Sequence, residues 1–190
     1  MIWESIVTTQ GPDGLVHVAP FGVTEDERGL SIAPFRPSVT LDNLESTGVA
    51  VINVTDDVRV FAGCLTGRRD WPTRPAHTVV GRILEGALAH REVRVLERDD
   101  DATRPRFRLT VVHEETHAPF RGFNRAQAAV VEAAIMVSRL HMLPPEKIAS
   151  EIAYLEIAVE KTAGPREREA WGWLMERIAD YKSSGAKAAG

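Results

Sequence analysis

Three short stretches carry residue types able to do chemistry. The first is Pro34-Phe35-Arg36-Pro37-Ser38-Val39-Thr40-Leu41-Asp42-Asn43-Leu44. It joins a guanidinium (Arg36) and two hydroxyls (Ser38, Thr40) to the start of a short helix. A helix N-terminus presents free backbone N–H groups and the positive end of the dipole. An added guanidinium makes such a place suited to a phosphate dianion, although a plainly capped helix would show the same residues. The second stretch, Val51-Ile52-Asn53-Val54-Thr55, puts an amide inside an apolar strand. Burying it is costly unless it is paired, and either a ligand edge or a neighbouring loop would pair it. The third is His17-Val18-Ala19-Pro20-Phe21-Gly22, a strand that breaks at proline. His17 alternates with Leu15 and Ala19 and shares their face, either lining a ligand cleft or sitting hydrogen-bonded at a barrel mouth.

A fourth stretch matches a metal motif in letters only. His113-Glu114-Glu115-Thr116-His117 has the H-E-x-x-H pattern, which holds one ion when both imidazoles share a helix face. Here it closes the alternating run Arg106 to Val112, and Pro119 disfavours helix at Ala118. On a strand the two histidines stand ~13 Å apart at ~3.3 Å per residue. The sequence therefore predicts a solvated strand end and no metal site.

The elements that would position these groups follow from periodicity. Ile2 to Thr9 and Leu15 to Val18, separated by Gly11-Pro12-Asp13-Gly14, read as a hairpin over residues 2–22. Leu30 to Ala33 and Val49 to Val54 read as strands, and Asp57 to Leu65 as a further one. Between them, residues 38–48 read as a short helix, started by Ser38 or Thr40 and ended by Gly48. The Arg-rich, Pro-punctuated segment 66–78 reads as a long loop. Ala87 to Leu96 and Arg106 to Val112 are two more strands, the second alternating Phe107, Leu109 and Val111 against Arg106, Arg108 and Thr110. After Pro119 the period becomes helical. Asn124 to Leu143 is apolar around most of its circumference and predicts a buried helix. Pro145 starts the next helix, with the stripe Ile148, Ile152, Leu155 and Val159. Gly164-Pro165 ends it and starts another, with the stripe Trp171, Leu174, Ile178 and Tyr181. The last two helices read as an antiparallel hairpin. Strands first and helices second give an α+β protein: a barrel over residues 1–118, a helical subdomain over 119–182, and a flexible tail over 183–190.

Composition narrows the partners. The 190 residues, 44% hydrophobic and 26% charged, suffice for a barrel of about 120 residues and a helical part of about 70. A net charge of −4 provides no global field for nucleic acid or an anionic membrane, although the positive charge is nearly all Arg. The single cysteine, Cys64, excludes an intrachain disulfide and reads as a small buried filler. No basic-then-apolar leader or membrane-length apolar run is present. The expected setting is the cytoplasm.

The spacing Ala19-Pro20-Phe21-Gly22, Thr40-x-x-Asn43-Leu44, Gly48 and Val51-Ile52-Asn53 resembles the flavin reductase-like, FMN-binding split-barrel superfamily. A second block, Arg121-Gly122-Phe123-Asn124-Arg125-Ala126 followed by an apolar helix ending Ser138-Arg139-Leu140-His141, is similar to one uncharacterised branch of it. That branch occurs in archaea, planctomycetes and methylotrophic bacteria. The resemblance implies an N-terminal FMN-binding split β-barrel, a C-terminal helical subdomain and a homodimer with flavin near the subunit interface. It implies that Ala19, Pro20, Phe21 and Gly22 contact the ring or ribityl chain, with His17 standing where a small polar residue is frequent. Ser38, Thr40 and Asn43 would hold the phosphate with Arg36 close by, and Asn53 would face the ring or brace its loop. Arg121, Asn124 and Arg125, which open a helix, would supply a second anion clamp or serve in capping and interdomain salt bridges. The implied function is an FMN-dependent oxidoreductase on an unknown small molecule, with NAD(P)H as a possible partner and no identifiable catalytic side chain. The company of this branch points to one-carbon or pterin metabolism. The alternative is a non-catalytic flavin carrier or sensor, with Trp171 and Trp173 on a partner surface.

Overall fold

The computed structural model describes residues 1–188 and divides into two compact units. One comprises residues 1–56 and 69–120; the other comprises residues 57–68 and the chain from Arg121 onward.

The first unit is a closed six-stranded antiparallel barrel. Its strands are β1 (Ile2–Gln10), β2 (Val16–Asp26), β3 (Gly29–Ile32), β4 (Val49–Val54), β7 (Ala89–Asp99) and β8 (Arg106–Thr116), in the order β1-β2-β3-β8-β7-β4. Pairing of Ile6 with Asn53 and Thr8 with Val51 closes the ring. Val7, Val23, Ile32, Ile52 and Phe107 fill one continuous core. Each such side chain contributes about 1.5–3 kcal/mol by leaving water.

The helix α1 (Val39–Thr47) adds Leu41 and Leu44 to that core. Its predicted caps are both present. Ser38 Oγ accepts from Leu41 N at 3.3 Å, and Gly48, at φ +67°, donates its N–H to Leu44 O. Only glycine takes that left-handed turn without strain.

Along β8, Phe107 and Leu109 are buried as the alternation predicts, but Val111 is 40% exposed. Arg108, expected on the polar face, is buried and bridges to Asp26 at 2.8 Å. The β7–β8 register shifts between Glu92 and Val93 and again between Val95 and Glu97; such bulges break alternation.

The loop expected over 66–78 contains a short strand. β5 (Thr73–Pro75) pairs with β6 (Arg82–Leu84), and this excursion is pinned to the barrel wall by buried polar groups. Thr8 Oγ1 donates to Arg82 O, Asn53 Oδ1 accepts from Leu84 N at 2.9 Å, and Glu92 accepts from three amides of residues 77–79. Val79 and Ile83 close over Val49 and Val51 as a second small core.

The second unit is helical: α2 (Val58–Leu65), α3 (Arg125–Val137), a 3₁₀ turn (Leu140–Met142), α4 (Pro145–Thr162) and α5 (Pro165–Ala188). The segment expected as a strand over Asp57 to Leu65 is thus a helix. Asp57 caps it, accepting from Arg59 N at 3.1 Å, and Val58, Val60, Phe61 and Ala62 are buried. An apolar run of this length fits a buried helix as well as a buried strand. Cys64 on α2 is half-buried rather than fully packed away.

Pro145 and Pro165 open their helices as predicted. The expected α4–α5 hairpin is different in detail: α4 packs mainly on α3, while α5 packs on α2 and α3. Trp171 is buried, and the Trp173 ring lies 4.2 Å from the Arg68 guanidinium. α5 continues to Ala188, into the segment expected as a tail; Ala189 and Gly190 lie outside the described residues. No helix among the described residues is long and apolar enough to cross a membrane.

Candidate functional site

The barrel places several predicted residues around one end. β2 pairs with β1 along its length, with His17 opposite Thr9, Ala19 opposite Val7, Pro20 opposite Ile6 and Gly22 opposite Glu4. On its other side β2 meets β3 only through Thr24, Glu25 and Asp26. Residues 16–23 therefore form an edge, and proline, which has no N–H to give a ladder, is tolerated there. Ala19, Pro20 and Phe21 are half-buried and Gly22 is exposed. Thr9, the cross-strand neighbour of His17, accepts from Asn43 Nδ2 at 3.0 Å. β2, β1 and α1 thus bring His17, Thr9 and Asn43 together. Gly11 completes the corner: a Cβ there would stand 2.7 Å from Asp13 Oδ1 and 3.0 Å from Asn43 Oδ1.

The N-terminus of α1 is rich in unused donors. Leu41 N is taken by Ser38 Oγ and Asp42 N by Ser38 O. The amides of Val39 and Thr40 have no partner among the described residues, as expected for the first positions of a helix. Ser38 Oγ is an acceptor in its cap and keeps its own O–H to give. Thr40 is 1% exposed, and its hydroxyl makes no hydrogen bond among the described residues. Asn43 is buried and spends one of its two N–H bonds on Thr9. Arg36 is less free: its guanidinium lies 3.5 Å from Glu45 and 3.9 Å from Asp100.

Asn53 is 0% exposed and its amide is fully engaged by the protein. Nδ2 faces Ile6 O at 3.0 Å, Thr8 Oγ1 at 3.2 Å and Val51 O at 3.2 Å, while Oδ1 holds Leu84 N. Of the two alternatives raised by the sequence, this geometry is that of a brace. Asn124 is likewise spent. It caps α3 by accepting from Ala126 N at 2.8 Å and donates to Thr162 O at 3.1 Å. Arg121 and Arg125 are exposed in the helical unit.

Partial burial, and then the nearby Arg69 guanidinium, hold the His17 imidazole below its ordinary pKa. Both effects penalise the charged ring.

A second cluster escaped the sequence reading. His77, His90, His113 and Glu115 offer ligand atoms all within 4.8 Å of one another. His90 and Glu92 are both 0% exposed. Burial pushes His90 toward its neutral form more strongly than the Glu92 contact opposes it. Burial works against the Glu92 carboxylate, but the amides of His77, Val79 and Thr78 hold its pKa low. His113 Nε2 is buried with no hydrogen-bond partner. The expectation of a solvated strand end is therefore corrected at His113. The motif lies on β8 as far as Thr116, with His117 just past the strand end, but cross-strand pairing of His90 with Glu115 and Glu92 with His113 assembles groups that no local spacing links.

Comparison with known proteins gives the following. The family model described as "Protein of unknown function (DUF447) N-terminal domain" matches residues 3–118, and that described as "Protein of unknown function (DUF447)" matches residues 124–176. The fold is similar to that of the FMN-bound protein MM1853 from Methanosarcina mazei, of the same family, at TM-score 0.80. The two are 19% identical, with 93% of this chain and 94% of that one covered. More distant likenesses cover 60% of this chain at TM-score 0.52. They are Pseudomonas fluorescens 2-nitrobenzoate 2-nitroreductase NbaA, 18% identical with 64% of its chain covered, and flavin reductase PheA2, 14% identical with 78% covered.

Proposed function

The chain belongs to the DUF447 family, and we propose that it is an FMN-binding flavoprotein working as an oxidoreductase of the flavin reductase-like type. The observation that carries this reading is the N-terminus of α1, where the Thr40 hydroxyl and the amides of Val39 and Thr40 have no hydrogen-bond partner among the described residues. Those donors match the oxygens of a terminal phosphate, which accepts hydrogen bonds and favours the positive dipole end. The FMN-bound relative of the same family supports the choice of ligand.

In this reading Ser38, Thr40, Asn43 and the amides of Val39 and Thr40 hold the phosphate. Arg36 contributes charge from beside Glu45 and Asp100, so its share is smaller than a free guanidinium would give. The edge of β2 from Ala19 to Gly22 contacts the ring or ribityl chain largely through backbone, with His17 at the same end of the barrel. Asn53 acts by bracing β6, without touching the ligand. Arg121 and Arg125 serve as a second anion clamp. Bound FMN supplies hydride and electron chemistry; the protein orients it and its small-molecule substrate. Exposed Leu15, Val16, Phe35 and Val39 flank these segments and suit burial against a second copy in a homodimer.

A visible spectrum of the purified chain tests the reading, followed by titration with FMN and anaerobic addition of NADH or NADPH. Stoichiometric flavin and its rapid bleaching by a nicotinamide donor are expected. Flavin without bleaching would favour a carrier or sensor, and failure to bind FMN would end the proposal.

A further inference from the structure

We propose that His77, His90, His113 and Glu115 form a structural site for one divalent first-row transition ion of the zinc class. The cluster belongs to the barrel unit alone. His90 and Glu115 are direct cross-strand partners on β7 and β8, as are Glu92 and His113. Residues two apart on a strand share a face, so His90, Glu92, His113 and Glu115 all lie on one side of this pair. His77 comes from the segment after β5, whose amides are anchored on Glu92.

The three imidazoles form a triangle, with ring centroids 5.9 Å apart for His77–His90, 5.2 Å for His77–His113 and 5.6 Å for His90–His113. A tetrahedral ion at about 2.1 Å from each ligand holds them about 3.4 Å apart. His77 Nε2 and Glu115 Oε2 already stand at 3.4 Å, and no ligand pair exceeds 4.8 Å, a gap that side-chain torsions close. Imidazole with one carboxylate selects zinc-like ions over magnesium or calcium, and four protein ligands make a closed, structural site.

Two further features favour an ion over a packed histidine cluster. A buried ring nitrogen without a partner is costly, and His113 Nε2 is one. Glu92, already accepting from three amides, can only accept again from the His90 ring, 3.4 Å away. That is the carboxylate–histidine support that fixes the tautomer of metal-binding imidazoles, so Glu92 is a positioning residue. Arg74 and His117 oppose the site: the Arg74 guanidinium is 3.3 Å from His77 Nε2, and His90 Nδ1, the nitrogen left for an ion once Nε2 donates to Glu92, lies 2.8 Å from His117 Nε2, so ion binding must displace both contacts. The H-E-x-x-H letters are incidental, since Glu114 turns to Arg91 at 3.4 Å and His117 is outside the ligand set.

The ion would clamp the segment after β5 onto the β7–β8 wall. The test uses the full chain, stripped with a chelator and titrated with Zn²⁺ against a chromogenic competitor, with Co²⁺ as a coordination probe. One ion per chain is expected, with micromolar or tighter affinity, a four-coordinate Co²⁺ spectrum and a raised melting temperature. His113→Ala removes a nitrogen that bonds nothing in the protein, so it should fold normally and bind at least ~100-fold more weakly. If circular dichroism shows it unfolded, His77→Ala on the exposed segment takes its place. Glu92→Gln should weaken binding ~10–100-fold, and His141→Ala, outside the cluster, should bind like the parent. Substoichiometric binding by the parent, or unchanged affinity in both His113→Ala and His77→Ala, would overturn the proposal. None of these readouts depends on flavin.

Discussion

Replacing Asn53 by Ala separates bracing from ligand contact. Asn53 has no exposed surface, and its Oδ1 is the acceptor for Leu84 N at 2.9 Å. Its two amide hydrogens are shared among Ile6 O, Thr8 Oγ1 and Val51 O. The truncation leaves a buried Leu84 N–H without an acceptor, at about 1–3 kcal/mol, and removes two donor bonds worth about 0.5–1.5 kcal/mol each. Not having to bury the amide offsets part of this, so a net loss of about 3 kcal/mol is expected. For a chain of this size that lowers the barrel's melting temperature by roughly 6–12 °C. Thermal denaturation followed by circular dichroism measures the shift. Hydrogen exchange should find the Leu84 amide opening at least ~10-fold more often, one decade per ~1.4 kcal/mol. FMN affinity, measured well below the melting point, should stay within about threefold of the parent, since less than ~0.7 kcal/mol of binding energy is at stake. An unchanged melting temperature together with a tenfold loss of FMN affinity would refute the bracing argument and place Asn53 against the flavin.

Three other perturbations probe the remaining assignments. Thr40→Val keeps the shape of the side chain and removes its O–H; a hydrogen bond to a charged group is worth about 1.5–3 kcal/mol, so FMN dissociation should rise roughly 10–100-fold in a flavin titration with stability almost unchanged. Histidine NMR should find His17 titrating below 6.5, its ordinary value, and Arg69→Ala should move that midpoint upward. Because folded His17 binds its proton less readily than the unfolded chain, its linkage favours the fold above the ordinary value and weakens it as pH falls toward the folded one. Asp57, whose burial is outweighed by hydrogen bonds and charge from Arg59, has a pKa below its ordinary 3.8. Its contribution is complete above that value and fades as pH falls through the folded one. Asp57→Asn, which keeps a capping oxygen, should therefore cost on the order of 1 kcal/mol near neutrality and nothing in strong acid, as read from paired melting curves.

Much of the fold was legible because its signals are local. Ser38 and Gly48 bracket α1, Pro145 and Pro165 start their helices, and Phe107 and Leu109 keep step along β8. The errors fall where a local pattern has two solutions or where pairing overrides it. Val58, Val60, Phe61 and Ala62 satisfy a buried strand and a buried helix equally, and the Asp57 cap decides for helix. Val111 lost its place in the alternation to the register shifts between β7 and β8, which leave Val112 unpaired on β8 and Leu96 unpaired on β7 and give no local signal in the sequence.

The same distinction explains the two clusters. The α1 corner is legible because Ser38, Thr40 and Asn43 lie within one helical turn or two, and helix geometry alone brings them together. The outer-wall cluster is not, because His77, His90 and His113 belong to three segments joined only by strand register and by a carboxylate that binds backbone. Glu92 lies in the strand read over Ala87 to Leu96 and carries no local signal of its burial. Its burial becomes intelligible once the segment after β5 is laid over it and three amides need an acceptor. The buried polar layer of Thr8, Asn53 and Glu92 is thus the means by which a long, Arg-rich excursion acquires one conformation. An ion held by His77 would fix the part of that excursion which Glu92 already anchors, so the metal proposal and the burial of Glu92 share one physical cause.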